Sequence, residues 1–371
     1  MALVDLIPAA GLAWAMDAAE RGDLPDALIR FGIRSICAQR AQDEARTGRT
    51  PQAFARQLAE GPVASHTGEA NTQHYEVPTA FFQEILGPYL KYSACEYPGA
   101  DASLAEAERH TLQLTCERAG IEDGQRILDL GCGWGSFTRY VAEHYPRCEI
   151  ISVSNSATQR AWIESCVDQP GWATVRVVTA DASTLDFSSL SEEGFDRVVS
   201  VEMFEHMQNW GVLFDRIEAA LVPTGRFFMH VFCHRQHPYY FEDEGEPDWM
   251  ARNFFSGGIM PSFALPRAIE SALEVEAEWK IDGRHYARTL RAWLDQLDAK
   301  RPALEALFGT PKTPETPSTD TRRAVQRWRM FLMACEELFG FDEGREWYVG
   351  HFRLRPRAED RNPRGTAVDE T

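Results

Sequence analysis

"RILDLGCGWGS", Arg126 to Ser136, runs from a short apolar segment into three glycines set two residues apart. Ile127, Leu128 and Leu130 give the segment the texture of a buried strand, and Gly131, Gly133 and Gly135 break it. Without Cβ atoms the chain turns sharply there and its backbone can approach a ligand. Strand, glycine turn and helix, in that order, form the opening unit of an open α/β sheet. Such sheets bind their ligands at the carboxyl ends of the strands. Asp129 places an acidic group just before the turn.

Working outward, "EIISVS" (149–154), "VRVVTAD" (175–181), "FDRVVSVE" (195–202) and "GRFFMHVF" (225–232) are further short apolar runs. Segments of helical or loop character separate them. The alternation predicts βαβ units and a mostly parallel, doubly wound α/β sheet, with "EWYVGHFRLRP" (346–356) as a final strand. Asn155 and Gln159 follow the second run and Asp181 the third, at the end where a ligand binds. A dehydrogenase would carry G-x-G-x-x-G and an acidic residue after the second strand. Here the third glycine spacing differs, and Asn155 or Gln159 stands in that neighbourhood.

Residues 1–71 read as a helical N-terminal cap, with Leu24, Leu28, Phe31, Ile33 and Ile36 near helical spacing, ending in the linker "EGPVASHTGEAN" (60–71). The main domain spans 72–356. Within it, 235–345 holds an aromatic insertion, "QHPYYFEDEGEPDWMARNFFSGGIMPS", too long for an ordinary connection and read as a lid. Two helical stretches follow, "YARTLRAWLDQLDAKRPALEALFG" and "TRRAVQRWRMFLMACEELFG", parted by "TPKTPETPSTD". The polar tail, 357–371, is expected to be disordered.

The formal charge of −18 over 371 residues argues against nucleic acid or an anionic lipid surface as partner, and suits a cationic or neutral substrate. No run of about 18 apolar residues occurs, so neither a membrane span nor stable membrane association is expected. The apolar N-terminus carries Asp5 and Asp17 and lacks a basic region, which reads as an amphipathic helix and not a signal peptide. Eight scattered cysteines without a C-x-x-C pair point to a reduced, cytoplasmic protein. "HVFCHRQH" offers His230, Cys233, His234 and His237. Strand alternation sends His230 and Cys233 to opposite faces, so no metal site is expected. A homodimer is compatible with the chain and not required by it.

"VEMFEHMQNW" (201–210) sets Glu202, Glu205 and His206 among large apolar residues. Charged groups are seldom fully buried unless paired. If the chain turns helical at the end of the fourth strand, the three are spaced i, i+3, i+4 and share one face. Two carboxylates could hold an ammonium group while an imidazole, which titrates near neutrality, takes its proton.

The glycine turn with the polar strand ends after it resembles the class I S-adenosyl-L-methionine (SAM) methyltransferases. "HYEVPTAFFQEILGPYLKYSAC" (74–95), "SVSNSATQ", "VSVEMFEHM", "FFSGGIMPS" (254–262) and "GRHYARTLRAW" (283–293) narrow the resemblance to the cyclopropane-fatty-acid-synthase superfamily. The match is most similar to its coclaurine N-methyltransferase branch. The resemblance implies a seven-stranded Rossmann-like sheet with an inserted helical lid, SAM as cofactor, and a small amine as partner.

Carried over by position, it marks Tyr92, Ser93, Asp129, Gly131, Gly133, Gly135, Asn155, Gln159, Asp181 and Ala182 as the cofactor site. Glu202, Glu205 and His206 fall at the catalytic positions, with Cys335 aligned to a cysteine often given a nucleophilic role. His230 and Tyr286 fall on the substrate side, where the aromatics of the region, Tyr240 and Phe255 among them, are candidates for cation–π faces and an apolar wall. Two readings compete: methylene transfer to an unsaturated lipid, and a SAM-binding sensor without turnover. In the lipid reading Glu205, His230 and Tyr286 would hold a bicarbonate-type base. Against it, the family's cysteine after Tyr-Ser falls on Ala94, with Cys95 displaced by one, and the small residue before "MFEH" is Glu202.

Overall fold

Burial follows the apolar runs closely enough to fix the sheet. In a computed structural model, which describes residues 9–64, 78–241, 249, 254, 257–309 and 321–357, five runs become parallel neighbours. They are β1 (Arg126–Leu130), β2 (Glu149–Ser154), β3 (Thr174–Thr179), β4 (Phe195–Val201) and β5 (Leu221–His234). Ile127, Leu128, Leu130, Val198 and Val199 are fully buried, as strands covered by helices on both faces require. With β8 (Leu273–Ile281) and β9 (Trp347–Pro356) they form a seven-stranded sheet of order β3-β2-β1-β4-β5-β9-β8, so the strand order reverses between β1 and β4; β6 (Tyr239–Tyr240) and β7 (Ile259–Met260) pair apart from it. A crevice opens at that switch point, beyond the carboxyl ends of both strands.

β9 (Trp347–Pro356) is the expected final strand and runs antiparallel to β5. β8 (Leu273–Ile281), on its far side, was not among the runs read as strands. Its signal is plain in retrospect: "LEVEAEWKI" alternates apolar with charged residues, the pattern of a half-exposed edge. β5 is also longer than expected, and its last turn of sequence carries His230 and His234 into the interior.

Short helices cover the sheet. One face holds α5 (Leu104–Ala119), following α4 (Thr79–Ile85), and then α6 (Ser136–His144) and α7 (Ala157–Val167). A Ser103–Glu106 capping box starts α5, and Gly120, left-handed at φ 69°, ends it. The other face holds α3 (Pro51–Glu60), α8 (Trp210–Ala220) and the short α9 (Leu265–Ala268). Above the crevice lie α10 (Gly283–Ala299), α11 (Arg301–Phe308) and α12 (Thr321–Gly340). The stretch from Tyr286 to Gly309, expected as one helix, divides at Lys300, where Pro302 starts a second helix.

The N-terminal residues do not stand apart from this arrangement. α1 (Ala9–Arg21) and α2 (Asp26–Thr47) bury Ala19, Ile29 and Cys37 in the same core as Trp293, Trp328 and Leu332. Arg30 pairs with Glu336 and Glu337, and Arg329 with Asp26 and Asp298. Phe54 of α3 joins the core under β4 and β5 instead. Residues 1–8, the linker from 65 to 77, residues 242–248, 250–253 and 255–256 of the aromatic insertion, residues 310–320 and the tail from 358 lie outside the described residues.

α10 meets β9 without room for a single carbon. A Cβ on Gly283 would fall 2.2 Å from the carbonyl oxygen of Trp347 and 2.4 Å from that of Phe339, both backbone atoms. Gly283→Ala is expected to destabilise the fold by about 1–3 kcal/mol, the usual penalty of overpacking, read as a lower urea midpoint at unchanged slope.

Candidate active site

The chain leaves β1 through Gly131 and Gly133, at φ 80° and 52°, conformations that suit glycine. A Cβ on Gly131 would strike Met203 at 2.6 Å, so the turn is also pressed against the segment after β4. Asp129 is buried behind the turn. Thr138 donates to it at 2.6 Å, and burial lifts its carboxyl to about 7. Gln159, at the start of α7, accepts from Ser154 through Oε1 at 2.7 Å. That bond fixes the amide, leaving Nε2 as a buried donor without an acceptor; the indole nitrogens of Trp134 and Trp293 share that condition. All three side chains line one cavity of about 1330 Å³, its open mouth included. Buried donors without acceptors are rare in proteins and are expected where a ligand completes them.

Glu202 forms the hub of the other end. β4 stops at Val201, and Glu202 takes a left-handed conformation at φ 48°, which turns its side chain across the crevice. Oε1 accepts from the Ala94 backbone N–H at 2.9 Å and meets His230 Nε2 at 3.1 Å. Oε2 accepts from the Tyr286 hydroxyl at 2.7 Å. Burial raises the Glu202 carboxyl on balance, while the Lys91 charge and the hydrogen bonds from Ala94 and Tyr286 pull against it. Lys91, itself buried, donates to Ser93 Oγ and the Ala94 carbonyl, each at 2.6 Å. The loop that carries Lys91, Tyr92, Ser93 and Ala94 is held by Glu108, whose buried carboxylate accepts the backbone N–H groups of Gly87, Tyr89 and Lys91.

Tyr92, Ser93, Asp129, Gly131, Gly133, Gln159, Glu202, His206, Tyr286 and Cys335 all line this cavity. The other candidates among the described residues do not. Gly135 caps α6 and packs against Ile163. Asn155 is exposed, and Asp181 accepts the Ser183 backbone N–H in a turn of its own. Ala182 lies in the core under β4 and β5. Tyr240 packs its ring against Phe54 at 4.8 Å, and Phe255 lies outside the described residues. His230 stands behind Glu202, not on the wall. His234 pairs with Glu346 at 2.9 Å, so the histidines of "HVFCHRQH" go to separate partners. Phe204 and Trp210 meet edge to face in the core and take no part in the cavity wall.

The expected shared helical face is corrected by the backbone. Only a short 3-10 turn, Phe204–His206, follows β4, and the regular helix waits until Trp210. Glu202 therefore faces the cavity while Glu205 turns back into the sheet, where it accepts the Phe232 backbone N–H at 2.7 Å. Wall residues that the sequence reading passed over are Lys91, Leu290, Trp293, Phe331, Leu338 and Phe339. Lys91 sits beside the Tyr-Ser pair. The others belong to the apolar stripes of α10 and α12, which look like ordinary core in sequence.

Sheet order, glycine turn and cavity define a class I SAM-dependent methyltransferase architecture. The chain belongs to the mycolic acid cyclopropane synthetase family, whose match covers residues 64–345. Among its relatives, the (S)-coclaurine N-methyltransferase of Thalictrum flavum subsp. glaucum is 32% identical over 91% of this chain and 94% of its own. The cyclopropane-fatty-acyl-phospholipid synthase of Escherichia coli (strain K12) is 28% identical over 75% of this chain and 66% of its own. A crystal structure of coclaurine N-methyltransferase bound to N-methylheliamine and SAH superposes with a TM-score of 0.85 at 30% identity, covering 92% of this chain and 99% of that one. The cyclopropane synthase MmaA2 of Mycobacterium tuberculosis, at 23% identity and a TM-score of 0.65, shares the fold.

Glu205 makes a separate prediction. Its carboxyl is fully buried, has one donor, and is raised well above the carboxylate range by burial and then by Glu202. A raised acid is held protonated in the fold and releases its proton on unfolding, so it stabilises at low pH and loses that contribution as pH rises through its folded value. Glu205→Gln keeps the acceptor for Phe232 and removes the titration. Melting curves from pH 5 to 9 are expected to show a shallower fall for this variant than for the wild type, with equal or greater stability at pH 8.

Proposed function

We propose that this chain transfers the methyl group of SAM to the nitrogen of a small, aromatic-bearing amine of tetrahydroisoquinoline-like build. The Glu202 carboxylate carries this reading: donors hold it from behind and its face meets a cavity whose far wall is aromatic. SAM supplies an electrophilic sulfonium methyl when bound, so the protein's task is to present a nitrogen lone pair in line with it. The backbone at Gly131 and Gly133, the Asp129 carboxyl and the free donors of Gln159 and Trp134 suit a polar, zwitterionic ligand at the glycine end.

At the other end an aliphatic amine arrives largely protonated. Glu202 attracts the ammonium form, more strongly for being buried in a medium of low dielectric. Trp293, Phe241, Phe331 and Phe339 offer ring faces to a cation and an apolar wall to the rest of the substrate. His206, on the same wall, accepts the nitrogen's proton, and the nearby Glu202 charge steadies the imidazolium. Cys335 lines the cavity as a neutral thiol, its ionisation suppressed by burial, and serves as wall. Glu205 supports the geometry through Phe232.

The lipid reading is disfavoured by the same hub. His230 and Tyr286, which the resemblance marks as holders of a bicarbonate-type base, are both engaged by Glu202.

Incubation with methyl-labelled SAM, a panel of secondary and tertiary amines, and unsaturated phospholipid vesicles tests the proposal. Label is expected in the amines; label in the lipid alone overturns it, and tight SAM binding without any transfer favours a sensor. Glu202→Gln and His206→Ala are each expected to lower kcat by about 10²–10⁴ while leaving calorimetric SAM affinity within a few-fold. Unchanged turnover in both would remove these side chains from the chemistry.

A further inference from the structure

Behind Glu202 a line of polar side chains crosses the sheet. His230 Nδ1 meets His351 Nε2 at 2.9 Å, and His351 Nδ1 meets Arg118 Nη1 at 2.7 Å. The two histidines are register partners on β5 and β9, and both are fully buried. Arg118, near the end of α5, pairs with Glu96 at 3.3 Å toward the surface and lies over the Trp279 ring.

The polarity of this line is not free. A guanidinium donates and cannot accept, so His351 Nδ1 must be a lone pair. A neutral imidazole has one donor, which places the proton of His351 on Nε2, where it can donate only to His230 Nδ1. His230 then carries its own proton on Nε2 and donates to Glu202 Oε1. Both rings are kept neutral by burial and by the cations around them. With Ala94 and Tyr286, His230 thus makes a third donor directed at the Glu202 carboxylate.

We propose that Arg118 and His351 are positioning residues: they fix the tautomer of His230 and so hold Glu202 as the ionised, substrate-facing carboxylate. The line conducts no proton outward, because an arginine ends it. It transmits the orientation of one cation across two rings. The proposal rests on the reading of Glu202 as the group that meets the amine, but tautomers can be observed without turnover.

Other charges bear on Glu202. Lys91, His206, Glu205 and Tyr286 face it from the motif loop, the turn after β4 and α10; Cys95 and Cys335 lie near as neutral thiols. His351 faces Lys91 besides its two partners. Arg118 is the charged group whose removal unlocks the tautomers while leaving every cavity-lining residue in place.

Two readouts test this. In the full-length protein labelled with ¹⁵N-histidine, His230 and His351 are expected to show Nε2-protonated neutral tautomers, and Arg118→Met to shift both toward Nδ1. A wild-type His230 protonated at Nδ1 overturns the proposal whatever the activity. In the methyl-transfer assay, Arg118→Met is expected to raise the acid limb of kcat/KM by about one pH unit, the size of one lost hydrogen bond to a carboxylate, at unchanged SAM affinity. Arg118→Lys, which keeps a cationic donor, is expected to recover most of that shift. An acid limb that stays in place, with activity lost uniformly over pH or not at all, would mean that Arg118 only packs.

Discussion

A carboxylate inside a protein must be met by donors or give up its charge, and Glu202 is where this chain meets that constraint. The loop before α5, the C-terminal half of β5 and the first turn of α10 each send it one donor. These segments are far apart in sequence, and the sheet brings them to one point. Much else follows from keeping them there. Glu108 is buried to hold the backbone of the loop that supplies Ala94, and Gly283 is required because α10 must approach β9 closely enough for Tyr286 to reach.

The two ends of the cavity are chemically unlike, and that asymmetry sorts its ligands. The glycine end is backbone, amide and a buried aspartate, suited to a polar molecule with many hydrogen-bonding groups. The Glu202 end is one directed charge before an aromatic wall. A phosphate or a fatty acyl headgroup would meet a fixed negative charge there, whereas an alkylammonium would meet a partner with its desolvation already offset by the protein. The buried Lys91 keeps that charge in balance without reaching the aromatic wall, since its three-donor head is occupied by Ser93 and Ala94.

Much of this was legible in the sequence. The parallel strands announced themselves as apolar runs, and the glycine turn marked the end of the sheet where the cavity opens. The site residues on the strand ends near the switch point, Asp129, Gly131, Gly133 and Glu202, fell where the pattern put them. The placements that differ from the simple pattern depend on backbone direction and on register. Glu205 was assigned to Glu202's face on the assumption of a helix, and a single left-handed residue sent it elsewhere. Asn155 and Asp181 sit at strand ends, yet further along the sheet their side chains turn to solvent or to local turns. The Arg118–His351–His230 line was invisible because it depends on which residues of β5 and β9 stand opposite, and no local pattern encodes that.

The conformation at position 202 has a consequence for how such a protein can change. A non-glycine residue held left-handed commonly costs on the order of 1 kcal/mol, and here it also draws a charge out of water. Glycine there would relax the backbone, yet it would strand three buried donors, the Ala94 N–H, His230 Nε2 and the Tyr286 hydroxyl, at a cost of about 1–3 kcal/mol each. The backbone alone favours losing the acidic side chain, and its neighbours oppose that loss. A neutral substitution at this position would therefore have to be accompanied by changes in the three segments that now donate to it.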